Sequence, residues 1–103
     1  MFELRIYTLR SREALQRYAT VHWARHVDTF EKFGITTHGV WIDRSGDAHR
    51  LVALIRYSED ADIDHVTRTV MTSREFAADM ADFDVDEILD VESVLLEPTL
   101  ELI

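Results

Sequence analysis

Cysteine is missing altogether, which removes disulfides, a thiol nucleophile and any thiolate metal site. Glycine occurs three times and proline once. There is no glycine-rich phosphate loop and no G-x-S-x-G turn, so nucleotide cofactors and serine-nucleophile hydrolysis are not expected. Long apolar runs are also lacking: the longest, Leu51 to Ile55, falls far short of the roughly 20 residues that span a bilayer, and no membrane partner is expected. Positive charge is scarce, with 11 Lys and Arg against 20 Asp and Glu for a net charge of −9. The cations do not cluster, and such a surface repels a phosphate backbone, so no nucleic-acid partner is expected either. The chain opens directly on an alternating pattern rather than on a basic and then apolar leader, which predicts cytoplasmic residence.

The remaining composition, 47% hydrophobic and 30% charged, is too apolar for disorder and predicts a single globular domain over residues 1–103. Residues 2–8, FELRIYT, set Phe2, Leu4 and Ile6 on one face and Glu3, Arg5 and Tyr7 on the other, the period of a half-buried strand. Ser11 is placed to cap a helix from Arg12 to about Lys32, and Gly34 can take the left-handed conformation that closes it. ITTHGVWI (35–42) and HRLVALIRY (49–57) are rich in β-branched and aromatic types and flank the turn sequence DRSGD, which predicts a hairpin. Ile63, Val66, Val70, Phe76, Ala77 and Met80 recur at helical spacing between Glu59 and Met80, with a break at Thr72-Ser73 where Ser73 can cap a second piece. EILDVESVLL (87–96) reads as a last strand ending before Pro98.

The order β-α-β-β-α-β is α+β and ferredoxin-like: a four-stranded antiparallel sheet with both helices on one face. Strands such as LVALI have no polar alternation, so the uncovered face is apolar and predicts a homodimer that buries sheet against sheet.

The first helix carries the most suggestive chemistry. At about 100° per residue from Leu15, the residues Tyr18, Ala19, His22, His26, Phe30 and Phe33 share one face, so both histidines of VHWARHVDTF lie in the apolar stripe. A buried neutral imidazole must satisfy one donor and one acceptor. Either the pair is bonded within the core, or it projects into a pocket, where burial would depress its pKa values and leave a neutral base. Metal is a third reading, since histidines four apart on one helical face can bind zinc. The catalytic zinc motif wants H-E-x-x-H, however, and Trp23 stands where the glutamate belongs. His38 or Glu92 would supply a third ligand only if their strands face the helices.

FELRIYTL, HWARHVDTFEKFGI leading into GVW, LVALIRY and VESVLLEPT together resemble the NIPSNAP family of the dimeric α/β-barrel superfamily over nearly the whole chain. The resemblance implies a homodimer whose two sheets form a barrel, with a ligand pocket in each protomer between sheet and helices. It also favours His26 over His22. In helix two this chain departs from a tryptophan-bearing D-x-x-W, placing Phe76 at about that position.

Two further groups carry charge in a pattern. Asp82, Asp84 and Asp86 alternate, but Glu87 and Ser93 stand where a calcium loop wants glycine and glutamate, so they read as a solvated rim. Glu3, Arg5 and Tyr7 share a face and, if it looks into the dimer interface, would form a polar network with cross-strand neighbours such as Arg56. Together with the helical wheel, the resemblance implies acid-base chemistry on a small hydrophobic, polyketide-like metabolite: isomerisation, dehydration or cyclisation with no organic cofactor and no metal. His26 and His22 are the catalytic candidates. Tyr7, Tyr18, Trp23, Trp41, His38 and Phe76 are the candidate substrate contacts, with His38 and Trp41 on opposite faces of their strand. The alternatives that the resemblance implies are a ligand- or haem-binding module and a cofactor-independent oxygenase.

Overall fold

A computed structural model describes residues 1–102. Strand β1 (Phe2–Leu9) is followed by α1 (Arg12–Arg17), a π-helical turn (Tyr18–His22) and α2 (Trp23–Lys32). The hairpin β2 (Thr36–Ile42) and β3 (His49–Arg56) comes next, then α3 (Ile63–Met71), α4 (Arg74–Asp79), a 3₁₀ turn (Val85–Glu87) and β4 (Ile88–Leu96). The sheet order is β2-β3-β1-β4, with every neighbouring pair antiparallel. The fold is ferredoxin-like, as the element order predicts. No helix among the described residues is long and apolar enough to cross a membrane.

The helix ends follow local chemistry. The Ser11 side chain accepts from the Ala14 amide at 3.1 Å, satisfying an amide left orphaned at the start of α1. Gly34 ends α2 at a φ of 80°, which a residue with a Cβ rarely adopts. The second helical segment breaks at Thr72-Ser73 as expected, the Ser73 side chain accepting from Phe76 N. It starts later than Glu59, at Ile63, because the Asp62 side chain caps it by accepting from His65 N.

The first helix is not the continuous α-helix that a simple helical wheel assumes. In the π turn the Trp23 amide bonds back to the Tyr18 carbonyl, five residues earlier, one more than an α-helix allows. Residues i and i+5 stand about 140° apart on an α-helix, but here Tyr18 and Trp23 both pack against Tyr7, at ring separations of 5.3 and 6.1 Å. The inserted residue thus brings Trp23 into the core.

Strand register assigns the two sheet faces. Glu3, Arg5 and Tyr7 of β1 lie opposite Ile55, Ala53 and Leu51 of β3, and this face meets the helices: the Arg5 guanidinium lies 5.7 Å from the centroid of the Phe30 ring. The core of Leu9, Leu15, Trp23, Phe30, Ile35, Leu51 and Ile55 sits between this face and α1–α2. The other face holds Leu4, Ile6, Val52, Leu54, Val94 and Leu96. The molecule is only 19 Å across its thinnest dimension, the depth of two layers, so no second layer formed by the described residues covers that face.

A bulge corrects one expectation on β2. Thr37 pairs with Ile55 and Gly39 with Leu54, leaving His38 as the extra residue and reversing the alternation that put His38 and Trp41 on opposite faces. His38 packs on Phe2 at 5.3 Å, and Trp41, opposite Val52, is 53% exposed. Both stand on the open face. The Trp41 indole folds over Gly39 so closely that a Cβ there would collide with it, which gives the G-x-W spacing an architectural reason.

Candidate functional site

The helices do not close over β4, whose residues from Leu89 to Leu96 are exposed. Between β1–β4 and the helices α2, α3 and α4 this leaves a cavity of about 550 Å³, within the usual range for small-molecule sites. Its mouth is apolar: Met71, Val85 and Val91 line it and are 59%, 60% and 49% exposed.

The inner wall presents His26, Tyr18, Phe30 and Phe76. The His26 ring lies parallel to Phe76 at 4.9 Å and to Phe30 at 5.4 Å, so packing fixes its plane. Its Nδ1 lies 2.9 Å from Asp79 Oδ2. A carboxylate only accepts, so Nδ1 carries the proton and Nε2 keeps its lone pair. That Nε2 is buried and has no protein partner. Burial, the strongest influence, pushes the His26 pKa down; the Asp79 hydrogen bond and charge oppose it, His22 and Arg5 add to it, and the net position is below the ordinary 6.5. His26 is therefore a neutral base at neutral pH.

His22 differs in every respect that matters. It is wholly buried and away from the cavity wall. Its Nδ1 donates to the Asp79 carbonyl at 2.7 Å, and its Nε2 accepts from Arg17 Nε at 3.4 Å. Both nitrogens are used, which is the structural alternative raised from the sequence. Asp79 binds both rings, one through its carbonyl and the other through its carboxylate, and its carbonyl also accepts from Arg25 at 3.2 Å.

The floor of the cavity is a polar network on β1. Arg5 Nε donates to Glu3 Oε1 at 2.9 Å, Nη1 to the Tyr7 hydroxyl at 3.4 Å and Nη2 to the Tyr57 hydroxyl at 3.2 Å. Tyr57 donates in turn to Glu3 Oε1 at 2.6 Å, and Ser93 donates to Glu3 Oε2. Burial acts to raise the Glu3 pKa, but the bonds from Ser93 and Tyr57 and the Arg5 charge outweigh it, and the carboxyl lies below its ordinary range. For Tyr18, burial dominates and with Tyr7 holds the phenol well above its usual pKa. The network is polar as expected, but it faces the helices instead of the open face. Arg56 is no part of it: it pairs with Glu101 at 3.7 Å and lies over the Phe2 ring.

Of the predicted site residues, the structure brings His26, Tyr7, Tyr18 and Phe76 to one cavity. Trp23 lies behind them in the core, 5.2 Å from the His26 ring, because the π turn rotates it inward. His38, Trp41 and Glu92 point from the open face, so none can complete a ligand set with the helix histidines; Glu92 is fixed there by its pairing with Ile6. Among the described residues no group of three or more His, Asp or Glu is clustered as metal ligands. Asp84 caps the 3₁₀ turn by accepting from Asp86 N at 2.9 Å, so that aspartate shapes the loop. Asp79 escaped the sequence reading, although a signal existed: three residues after Phe76, it places a carboxylate in the apolar stripe of α4.

The fold is shared by solved structures of distant sequence. A NIPSNAP family protein from Agrobacterium tumefaciens aligns with a TM-score of 0.74 at 18% identity, covering 94% of this chain and 86% of that one. An antibiotic biosynthesis monooxygenase aligns at 0.63 and 11% identity, covering 97% and 100%. A dimeric ferredoxin-like protein from an uncultured marine organism aligns at 0.60 and 10% identity, covering 99% and 97%. No curated protein matches the chain. The NIPSNAP family model matches residues 2–100, from the first strand through the turn after the last, and the chain belongs to the NIPSNAP family.

Proposed function

We propose that the protein is a small-molecule enzyme that moves a proton on a hydrophobic metabolite within this cavity, by isomerisation, dehydration or cyclisation, without an organic cofactor. The observation that carries the reading is His26: an imidazole that lines the cavity, is oriented by Asp79 and held neutral by burial, and keeps a buried Nε2 with no protein partner. That is the arrangement general-base catalysis needs. His22, satisfied on both nitrogens, acts by holding Asp79 and α4 in place. The apolar mouth suits a hydrophobic substrate.

The depressed His26 pKa supplies a test. Its folded-state pKa lies below the unfolded value of about 6.5, so the unfolded chain binds the extra proton first. The stability contributed by the neutral ring is present above 6.5 and is lost as pH falls through the folded pKa. Urea melts between pH 8 and 5 should show wild type losing stability below 6.5 relative to His26→Gln. Nitrogen-edited NMR should find Nδ1–H with bare Nε2 at pH 7; a ring protonated at both nitrogens there would sink the base assignment.

The fixed imidazole also favours a second reading, a haem-binding module. A histidine whose Nδ1–H is anchored by a carboxylate is oriented as metal-ligating histidines are, and His26 would be the residue that holds the iron. A Soret band on haemin titration that His26→Gln abolishes would select it over the enzyme.

The active form is a homodimer joined through the open sheet face. That face is apolar, bears the exposed Trp41 indole, and is left uncovered by a chain two layers thick. Trp41→Asp should convert the dimer to monomer in light scattering at micromolar concentration. An unchanged mass would place the interface elsewhere.

A further inference from the structure

Resting on the reading of His26 as a base, we infer that the substrate is an enolisable ketone or closely related carbonyl compound. Its oxygen sits at the Tyr7 hydroxyl while the C–H next to the carbonyl meets His26 Nε2.

The Tyr7 hydroxyl is the group left with a proton to give. It accepts a bond from Arg5 Nη1, the hydroxyl beside it is that of Tyr18, a phenol itself held protonated, and the side chain lines the cavity. A hydroxyl that accepts from a guanidinium is polarised to donate. Arg5 is immobilised by its bonds to Glu3 and Tyr57 and by the Phe30 ring beneath it, so this donor is oriented before any ligand arrives. The cavity thus offers two unfilled roles: a proton acceptor at His26 and a proton donor at Tyr7. The Tyr18 ring borders both, 5.3 Å from the Tyr7 ring and 6.1 Å from that of His26.

A carbonyl with an adjacent C–H uses both roles in one step. The C–H bond breaks and its proton passes to Nε2. The electron pair becomes the enolate double bond, and the carbonyl oxygen takes the negative charge against the Tyr7 proton. Swap of the Nε2 proton with solvent before its return to the same carbon gives exchange, and return to a conjugated carbon gives the isomer. No oxidant or reductant enters. A carboxylate or phosphate substrate fits less well, since the Arg5 charge is already matched by Glu3 at 2.9 Å.

The probe is 2-tetralone, a hydrophobic ketone whose C1 hydrogens exchange in D₂O, followed by proton NMR. Wild type should accelerate exchange over buffer, His26→Gln should abolish the acceleration, and Tyr7→Phe should reduce it about 100-fold with the melting temperature unchanged. Exchange that needs His26 but is indifferent to Tyr7→Phe overturns the oxygen site and leaves the base reading standing. No acceleration by wild type overturns the substrate class. The base reading then fails separately, if nitrogen-edited NMR shows His26 protonated at both nitrogens at pH 7.

Discussion

His26→Gln should lower turnover by about 100- to 10,000-fold, the usual cost of removing a general base, equivalent to about 3–5 kcal/mol of barrier. Glutamine keeps an N–H that can reach Asp79 Oδ2 and remains uncharged, so the melting temperature should move little. The contrast with His22 makes the experiment decisive. His22→Gln breaks the bonds to the Asp79 carbonyl and Arg17 and should cost about 1–3 kcal/mol of stability, while the reaction survives in the folded fraction. Asp79→Asn gives a third pattern. Its amide can donate to His26 Nδ1, which permits the tautomer with the proton on Nε2 and blocks the lone pair the reaction needs. Turnover equal to wild type in His26→Gln would end the catalytic assignment.

Phe30→Ala should be among the most destabilising single substitutions available. The ring is 1% exposed, meets Trp23 at 5.5 Å and His26 at 5.4 Å, and underlies the Arg5 guanidinium. Removing it takes away buried area and leaves a void that the sheet cannot fill, at about 3–5 kcal/mol. For a chain of this length that corresponds to a fall in melting temperature of at least about 12 °C, read by calorimetry. The void would open into the ligand cavity, so His26 would also lose one of its two stacking partners and the cavity would lose its shape. A loss below about 1 kcal/mol would show that Phe30 is not enclosed as described.

Much of this architecture can be read from local chemistry. The alternation of FELRIYT places Glu3, Arg5 and Tyr7 together, and it is rigid geometry, so it survives folding. The caps at Ser11 and Ser73 and the stop at Gly34 are equally local, each set by one side chain or one φ value. Two insertions leave no trace in periodicity and so cannot be read this way. The bulge at His38 and the π turn at Tyr18–His22 each add one residue to a regular ladder, and each moves the residues beyond it: Trp41 to the open face, Trp23 to the core. The helical wheel finds both histidines but does not distinguish them. The distinction depends on Asp79 and Arg17, which reach the pair from α4 and from the preceding turn of helix, and only the folded chain brings α4 against that helix. Whether the helix-facing side of β3 is Leu51, Ala53 and Ile55 or its alternate set is likewise fixed only by register with β1.

The π turn has a consequence for how this site changes over evolutionary time. The turn already takes up one extra residue within a single i to i+5 bond, so losing one residue between Tyr18 and His22 would restore an ordinary α-helix and leave everything beyond it facing as before. Trp23 would stay in the core, and His26 and Phe30 would stay at the cavity wall. A single-codon deletion at this turn is thus a step the site absorbs, whereas the same deletion between Trp23 and His26 would turn the imidazole away by about 100°. Relatives with and without the extra residue can therefore share one site, and a one-residue gap in their alignment belongs at this turn.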